Sequence, residues 1–295
     1  MRTQSQARGV SMVAKCGVIA ISIWLGATSA AHAQIAVTSP TIVEGTGEPG
    51  ETYRDAIVIH NSSNSVQTVA LSRADYRFDA EGLTEFTDPG SQPRSNSGWI
   101  ALSQQSVSVL PHADVAVSYT VSIPSSPVTP VGTYWSVIFV EATRSTTSTS
   151  TSLSIVPTFR YAVQIATHVG KTGVPTLAFG EPHVMRTSFS VALVNASAPL
   201  QTPTESTLPA DRSLSIDITD AGTRACRPTL RLELYREDGS LAHAATVQRG
   251  LVYPGASIRQ TFALPALPAG VYTVLLLADA GIDKVQGTKF QIHIQ

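Results

Sequence analysis

The sequence is short of cysteine, of charge and of long apolar runs. It contains two cysteines in 295 residues, Cys16 and Cys226. Cys16 falls in the extreme N-terminal segment, so Cys226 is left without an internal disulfide partner and core packing must hold the fold. A thiol in that position reads as a small buried hydrophobe. Charged residues make up 14% of the chain and the formal net charge is −1. No basic stripe is available to neutralise phosphates, which excludes a nucleic-acid partner. Beyond the N-terminal segment no run approaches the ~20 apolar residues of a membrane-spanning helix, so the mature chain is expected to carry no transmembrane anchor.

Catalytic motifs are lacking too. His60, His112, His168, His183, His243 and His293 are scattered, with no His-x-x-x-His or Cys-x-x-Cys pair to hold zinc. No Gly-x-Ser-x-Gly elbow or glycine-rich phosphate loop occurs. Asp79-Ala80-Glu81-Gly82 falls short of the ligand spacing of a calcium loop and reads as a hairpin turn. Tyr76 and Phe78 would lie on one strand of that hairpin and Phe86 on the return. Trp99, Tyr134 and Trp135 stand at strand starts and read as core rather than as a sugar platform. The expectation is a protein without enzymatic chemistry, cofactor or metal.

What is present begins with an export signal. Arg2, Arg8 and Lys15 precede the uncharged apolar run from Cys16 to Ala27, and Ala31-His32-Ala33 fits a small-x-small cleavage site. Residues 1–33 read as a cleaved signal peptide, which places the mature chain in the periplasm, outside the cell or on its surface. Without those three cations the formal charge falls from −1 to −4.

The remaining pattern has period two. Val115, Val117, Tyr119, Val121 and Ile123 alternate with small or polar residues, as do Leu230, Leu232 and Leu234, and Phe290, Ile292 and Ile294. Alternation puts one strand face in a core and the other in water. The pattern also repeats. Ala56–Asn61 followed by Ser62-Ser63 is echoed by Ser190–Asn195 followed by Ala196-Ser197. Leu110-Pro111-His112-Ala113 is echoed by Tyr253-Pro254-Gly255-Ala256, and Pro130-Val131-Gly132-Thr133-Tyr134 by Pro268-Ala269-Gly270-Val271-Tyr272. Two copies of one architecture explain the shared order. Pro-x-Gly-x-Tyr reads as a tyrosine corner, the ring in the core and the hydroxyl bonded back to the corner, which assigns Tyr134 and Tyr272 structural roles. The fold class is therefore all-β: two tandem immunoglobulin-like sandwiches, 34–170 and 171–295, joined at Gly170-Lys171-Thr172-Gly173. The polar loop 196–212 lies inside the second.

One strand stands out. Leu153, Ile155, Pro157, Phe159, Tyr161, Val163 and Ile165 share one parity over about thirteen residues, against ~5–6 for a common strand. Pro157 lacks a donor, which suits an edge. Such an edge either serves its own core or takes a partner's strand by β-augmentation. The hydroxyl-rich stretch 143–152 before it reads as a mobile hairpin loop.

Gly132 to Glu141 followed by that loop and strand, with Tyr76-x-Phe78, Trp99-Ile100-x-Leu102 and Leu110-Pro111, resembles the amino-terminal domain of periplasmic pilus chaperones. It also resembles two-domain surface proteins that associate with WxL proteins. The resemblance implies that the late strand is donated to an incomplete pilin-like subunit of a surface assembly. Leu153, Ile155, Phe159, Tyr161, Val163 and Ile165 would form the donor face, with Arg160 as its cation. The chain departs from the family in its first strand, where Ile35–Pro40 holds no arginine, and in having Arg160 as the only cation on the late strand. The expected function is a chaperone-like role in pilus or surface-structure assembly. The alternative is a structural or adhesive cell-surface or cell-wall-binding protein.

Overall fold

The computed structural model describes residues 34–126, 128–143, 159–186 and 212–295. The N-terminal leader 1–33, Leu153, Ile155, the strand ending at Asn195 and nearly all of the loop 196–212 lie outside the described residues.

The alternating segments form strands. In chain order the first ten are β1 (Ile35–Val37), β2 (Ile42–Gly47), β3 (Thr52–Asn61), β4 (Gln67–Phe78), β5 (Thr84–Thr87), β6 (Ile100–Leu102), β7 (Ser106–Val109), β8 (Asp114–Ser122), β9 (Gly132–Ala142) and β10 (Arg160–Val169). They build two facing sheets, β1-β3-β8-β6 and β2-β10-β9-β4-β5, with β7 also pairing β4. Then follow β11 (Leu177–Phe179), β12 (His183–Arg186), β13 (Arg212–Asp220), β14 (Thr229–Tyr235), β15 (Leu241–Gln248), β16 (Ser257–Leu264), β17 (Gly270–Asp279) and β18 (Gln286–Ile294). In this half β13 pairs β11, β12 and β16, and the facing sheet runs β15-β14-β17-β18. The chain is thus all-β, two immunoglobulin-like sandwiches that share no strand. A single 3-10 turn, Ser97–Trp99, is the helical element among the described residues.

Each sandwich closes its own core from the inward parity of its strands. Ile57 and Ile59 of β3, Val117, Tyr119 and Val121 of β8, Ile138 and Val140 of β9, and Val163 and Ile165 of β10 meet in the first. Leu214, Ile216, Leu230, Leu232, Leu276 and Ile292 are among those that meet in the second. Side chains of this kind each stabilise by ~1.5–3 kcal/mol when fully buried.

The predicted turn echo is realised in the backbone. The Ala113 N–H donates to Leu110 O, and the Ala256 N–H to Tyr253 O. The third position of each turn has positive φ, 54° at His112 and 81° at Gly255. Asp79–Gly82 is the expected hairpin turn. The Asp79 carboxylate accepts the N–H groups of Glu81 and Leu83, and Tyr76 pairs with Phe86 across the ladder.

The two tyrosine corners differ. Tyr272 is buried and its hydroxyl donates to Pro268 O at 3.0 Å. Tyr134 takes the same inward parity, but it is half-buried and meets the Trp99 ring at a tilt, 4.6 Å between centroids. Its hydroxyl has no bond back to the corner among the described residues. The corner bond expected there is corrected: Trp99 and Arg94 cap the ring at the rim of the core instead, with the Arg94 guanidinium 5.3 Å from its centroid.

A third cluster lies on the outer face of the β9 sheet. Ala74, Tyr76, Trp135, Val137, Phe139 and Ala166 pack there with Ala225, Tyr253 and Ala256 of the second sandwich. Burial on both faces explains why Trp135 to Val140 is apolar without alternation. Trp135 stacks flat on Tyr253 at 4.7 Å, and its indole N–H donates to Tyr76 O. These contacts join the sandwiches into one compact unit, Ala33–Gln295.

Candidate functional site

The long late strand meets different neighbours along its length. On one side β9 pairs it antiparallel from Arg160↔Glu141 to Val169↔Gly132. On the other, β2 pairs it in parallel, and only from Gln164↔Ile42 onward. The cause lies in the chain entry. After β1 pairs with β3, residues Ser39-Pro40-Thr41 carry the backbone across to the facing sheet, where it joins β10 halfway along. The Gln164 N–H donates to Thr41 O. Backbone groups alternate sides along a strand. The N–H groups of Arg160 and Ala162 therefore point the same way as that of Gln164, toward a side with no partner strand among the described residues.

The side chains around this open stretch are of mixed character. Phe159 is 46% exposed, whereas Val163 and Ile165 are fully buried. Val163 and Ile165 are core side chains of the first sandwich and cannot present a face to a partner while it stays folded. Of the expected donor residues described, Phe159 and Arg160 are exposed and Tyr161 is half-buried. The Tyr161 hydroxyl crosses to the facing sheet and donates to Ile35 O at 3.0 Å. Arg160 lies on the other face, paired with Glu141 at 2.8 Å and placed 4.8 Å over the Phe139 ring.

The other end of β10 is enclosed by polar scaffolding that no sequence motif marked. Buried Asn96 donates to Ile165 O and the Thr167 hydroxyl, and accepts from the Ser136 hydroxyl. Tyr53 and Thr167 join hydroxyl to hydroxyl at 2.8 Å. His168 sits between the Thr133 hydroxyl at 2.9 Å and Glu44 at 3.1 Å, and Glu44 also pairs with Arg227 of the second sandwich. The hydrogen bonds from Arg227 hold the Glu44 carboxyl below its ordinary pKa, against the opposing effect of burial. Sequence alone could not pair residues so far apart. The usable signal was polar residues breaking an otherwise apolar strand, as Thr167 and His168 do.

The junction beside it is closed by close backbone approach. The Thr133 N–H donates to Thr223 O, and the Ala225 N–H to the Thr133 hydroxyl. Arg224 donates to the carbonyls of Gly170 and Thr172 in the connector. A Cβ at Gly132, where φ is 82°, would stand 1.8 Å from Thr223 O. Burial pushes the Cys226 thiol up to about 12 and leaves it unreactive at neutral pH. Among the described residues no group of three His, Cys, Asp or Glu is placed to hold a metal, and no helix is long and apolar enough to cross a membrane.

The sequence matches no described protein family and no curated protein. Among solved structures it is similar to a chaperone–tip adhesin complex of CFA/I fimbriae biogenesis. The identity is 12%, over 88% of this chain and 98% of that one, with a TM-score of 0.46. It is similar to the class 5 fimbriae chaperone CfaA at 13% identity, over 87% and 98% of the two chains, with a TM-score of 0.44. A further similarity is to the CsuC–CsuE chaperone–tip adhesion subunit pre-assembly complex of Acinetobacter baumannii. There the identity is 12%, over 87% and 98%, with a TM-score of 0.42.

Proposed function

We propose that this is an exported, non-catalytic protein that accepts a partner's strand along the open half of β10, in a chaperone-like role in pilus or surface-structure assembly. One observation carries the reading: among the described residues β10 has strands on both sides from Gln164 onward but on one side only from Arg160 to Val163. An unpaired edge is a template for another chain, because its N–H and C=O groups lack partners. The exposed Phe159 and the half-buried Tyr161 supply apolar surface beside it. Main-chain bonds would give affinity and the flanking side chains selectivity. The partner would be a subunit of the surface assembly, pilin-like in needing a strand to complete its sheet. Division of the mature chain at 170/171 belongs to the same reading: the first sandwich binds and the second braces it.

Ala162→Pro tests this without disturbing the fold. The substitution removes an N–H that points to the open side, and an edge strand tolerates such a proline. Binding to a co-expressed pilin-like subunit should fall ~10-fold or more, equivalent to ~1.4 kcal/mol, while the melting temperature stays near that of the wild type. Unchanged binding by a folded Ala162→Pro protein would favour the structural or adhesive role, which needs no strand exchange.

A further inference from the structure

The junction holds a groove that strand addition does not use. It lies between the Gln92–Arg94 segment of the first sandwich and two turns of the second, Ala221–Gly222 and Pro254–Ala256, and encloses about 420 Å³. Small-ligand sites favour concave spaces of this size between packed bodies, apolar with a few fixed polar groups. Here the apolar lining is Trp135, Pro93, Pro254 and Ala256, and the cations are Arg77 and Arg94.

The two cations are not equivalent. Arg77 is exposed and already committed to Glu85, at 2.6 Å. Arg94 is held in place by its own bonds. Its Nη1 donates to Val131 O at 2.9 Å and to Thr133 O at 3.3 Å, and its guanidinium lies against the Tyr134 ring. Among the described residues its Nε and Nη2 have no hydrogen-bond partner. A guanidinium fixed in this way offers a fork that matches a carboxylate at small ordering cost. Asp220, beside the Ala221–Gly222 turn, lies within range of the Arg94 charge, and its Oδ1 is already occupied by the N–H groups of Thr176 and Gly222.

We propose that this groove binds a small monocarboxylate with an apolar body, the carboxylate on Arg94 and the body against Trp135 and Pro254. One guanidinium with its Nε and Nη2 donors free among the described residues suits one carboxylate. A phosphate dianion would want a second free cation, and Arg77 is engaged.

Titration of the purified protein with sodium benzoate, benzamide and inorganic phosphate, followed by the Trp135 indole N–H resonance, tests this. Benzoate should shift that resonance saturably and leave Trp99 unmoved, with benzamide and phosphate each weaker by ~10-fold or more. Arg94→Gln should weaken benzoate ~10-fold, the loss of a charge-assisted bond. Because Arg94 also supports two carbonyls, a second variant is needed. Ala221→Phe places a ring at the exposed rim of the groove, leaves Arg94 in place, and should block binding. The proposal is overturned if benzoate gives no saturable shift, if benzamide or phosphate binds as well, or if folded Ala221→Phe binds benzoate like the wild type. None of these outcomes bears on the β10 edge.

Discussion

The two ends of β10 are built from similar residues and do different things. From Gln164 to Val169 the strand is flanked by β2 and β9, covered by the first core on one face and approached by the second sandwich on the other. From Arg160 to Val163 it has β9 alone among the described residues. The difference lies in where a neighbouring chain runs. β2 arrives parallel and late, so an evenly alternating sequence becomes a closed lattice at one end and an open edge at the other. One periodic pattern thus encodes two environments, and the partner strand selects between them.

The largest effect should come from breaking the closed end. Gly132 has φ of 82°, and any Cβ there would collide with Thr223 O at 1.8 Å. Gly132→Ala should cost ~2–4 kcal/mol, combining backbone strain with a clash that moves the second sandwich away. Urea unfolding should resolve into two steps as the sandwiches uncouple, with Arg160–Val163 amide shifts unchanged in native buffer. A single cooperative step at wild-type denaturant would show that the junction does not depend on this approach.

A smaller effect, and one with a sign, comes from titrating the junction. Burial raises the Asp220 pKa, and its Oδ2 has no hydrogen-bond partner among the described residues. The folded state then binds the proton more tightly than the unfolded one, so stability falls as pH rises from the ordinary carboxylate value through the raised one. Glu44 works the other way: its lowered pKa gives stability at neutral pH that is lost as pH falls through the folded value. Asp220→Asn should remove the first slope and leave the second, read as denaturation midpoints from well below the ordinary carboxylate range up to neutral pH. A variant whose midpoints still fall with rising pH like the wild type would assign that slope to another group.

The closed end also shows what could be read in advance. Strand positions, core parity, the Tyr272 corner and the Leu110–Ala113 and Tyr253–Ala256 turns all follow from local spacing, because period two and turn chemistry are local physics. The Asn96 network, the Glu44–Arg227 pair and the Gly132–Thr223 approach join residues from distant parts of the chain, and nothing local encodes them. The donor face illustrates the boundary. Parity groups Phe159, Tyr161, Val163 and Ile165 as one face, and of these Tyr161, Val163 and Ile165 belong to the first core cluster. Parity says nothing about which of them another strand covers, and Val163 and Ile165 turn out to be interior.

Two tyrosines make the smallest comparison and the finest. Tyr53 and Tyr161 each bridge the two sheets of the first sandwich, at opposite ends of β10. At the closed end Tyr53 meets Thr167, whose hydroxyl also accepts from buried Asn96. The Tyr53 ring lies so near Gly45 that a Cβ there would approach it to 2.3 Å. At the open end Tyr161 donates to the carbonyl of Ile35, in the short β1. Thr167 keeps its bond from Asn96 when the Tyr53 hydroxyl is removed, but a bond lost inside a buried network costs more than one at a rim, where water can take its place. Tyr53→Phe should therefore destabilise more than Tyr161→Phe, although each loses one oxygen. Tyr161→Phe should instead speed hydrogen exchange in β1 and leave the junction amides unmoved. Equal costs would mean that the two ends of β10 are equally dry, and the open edge would then have to be covered by something of its own chain.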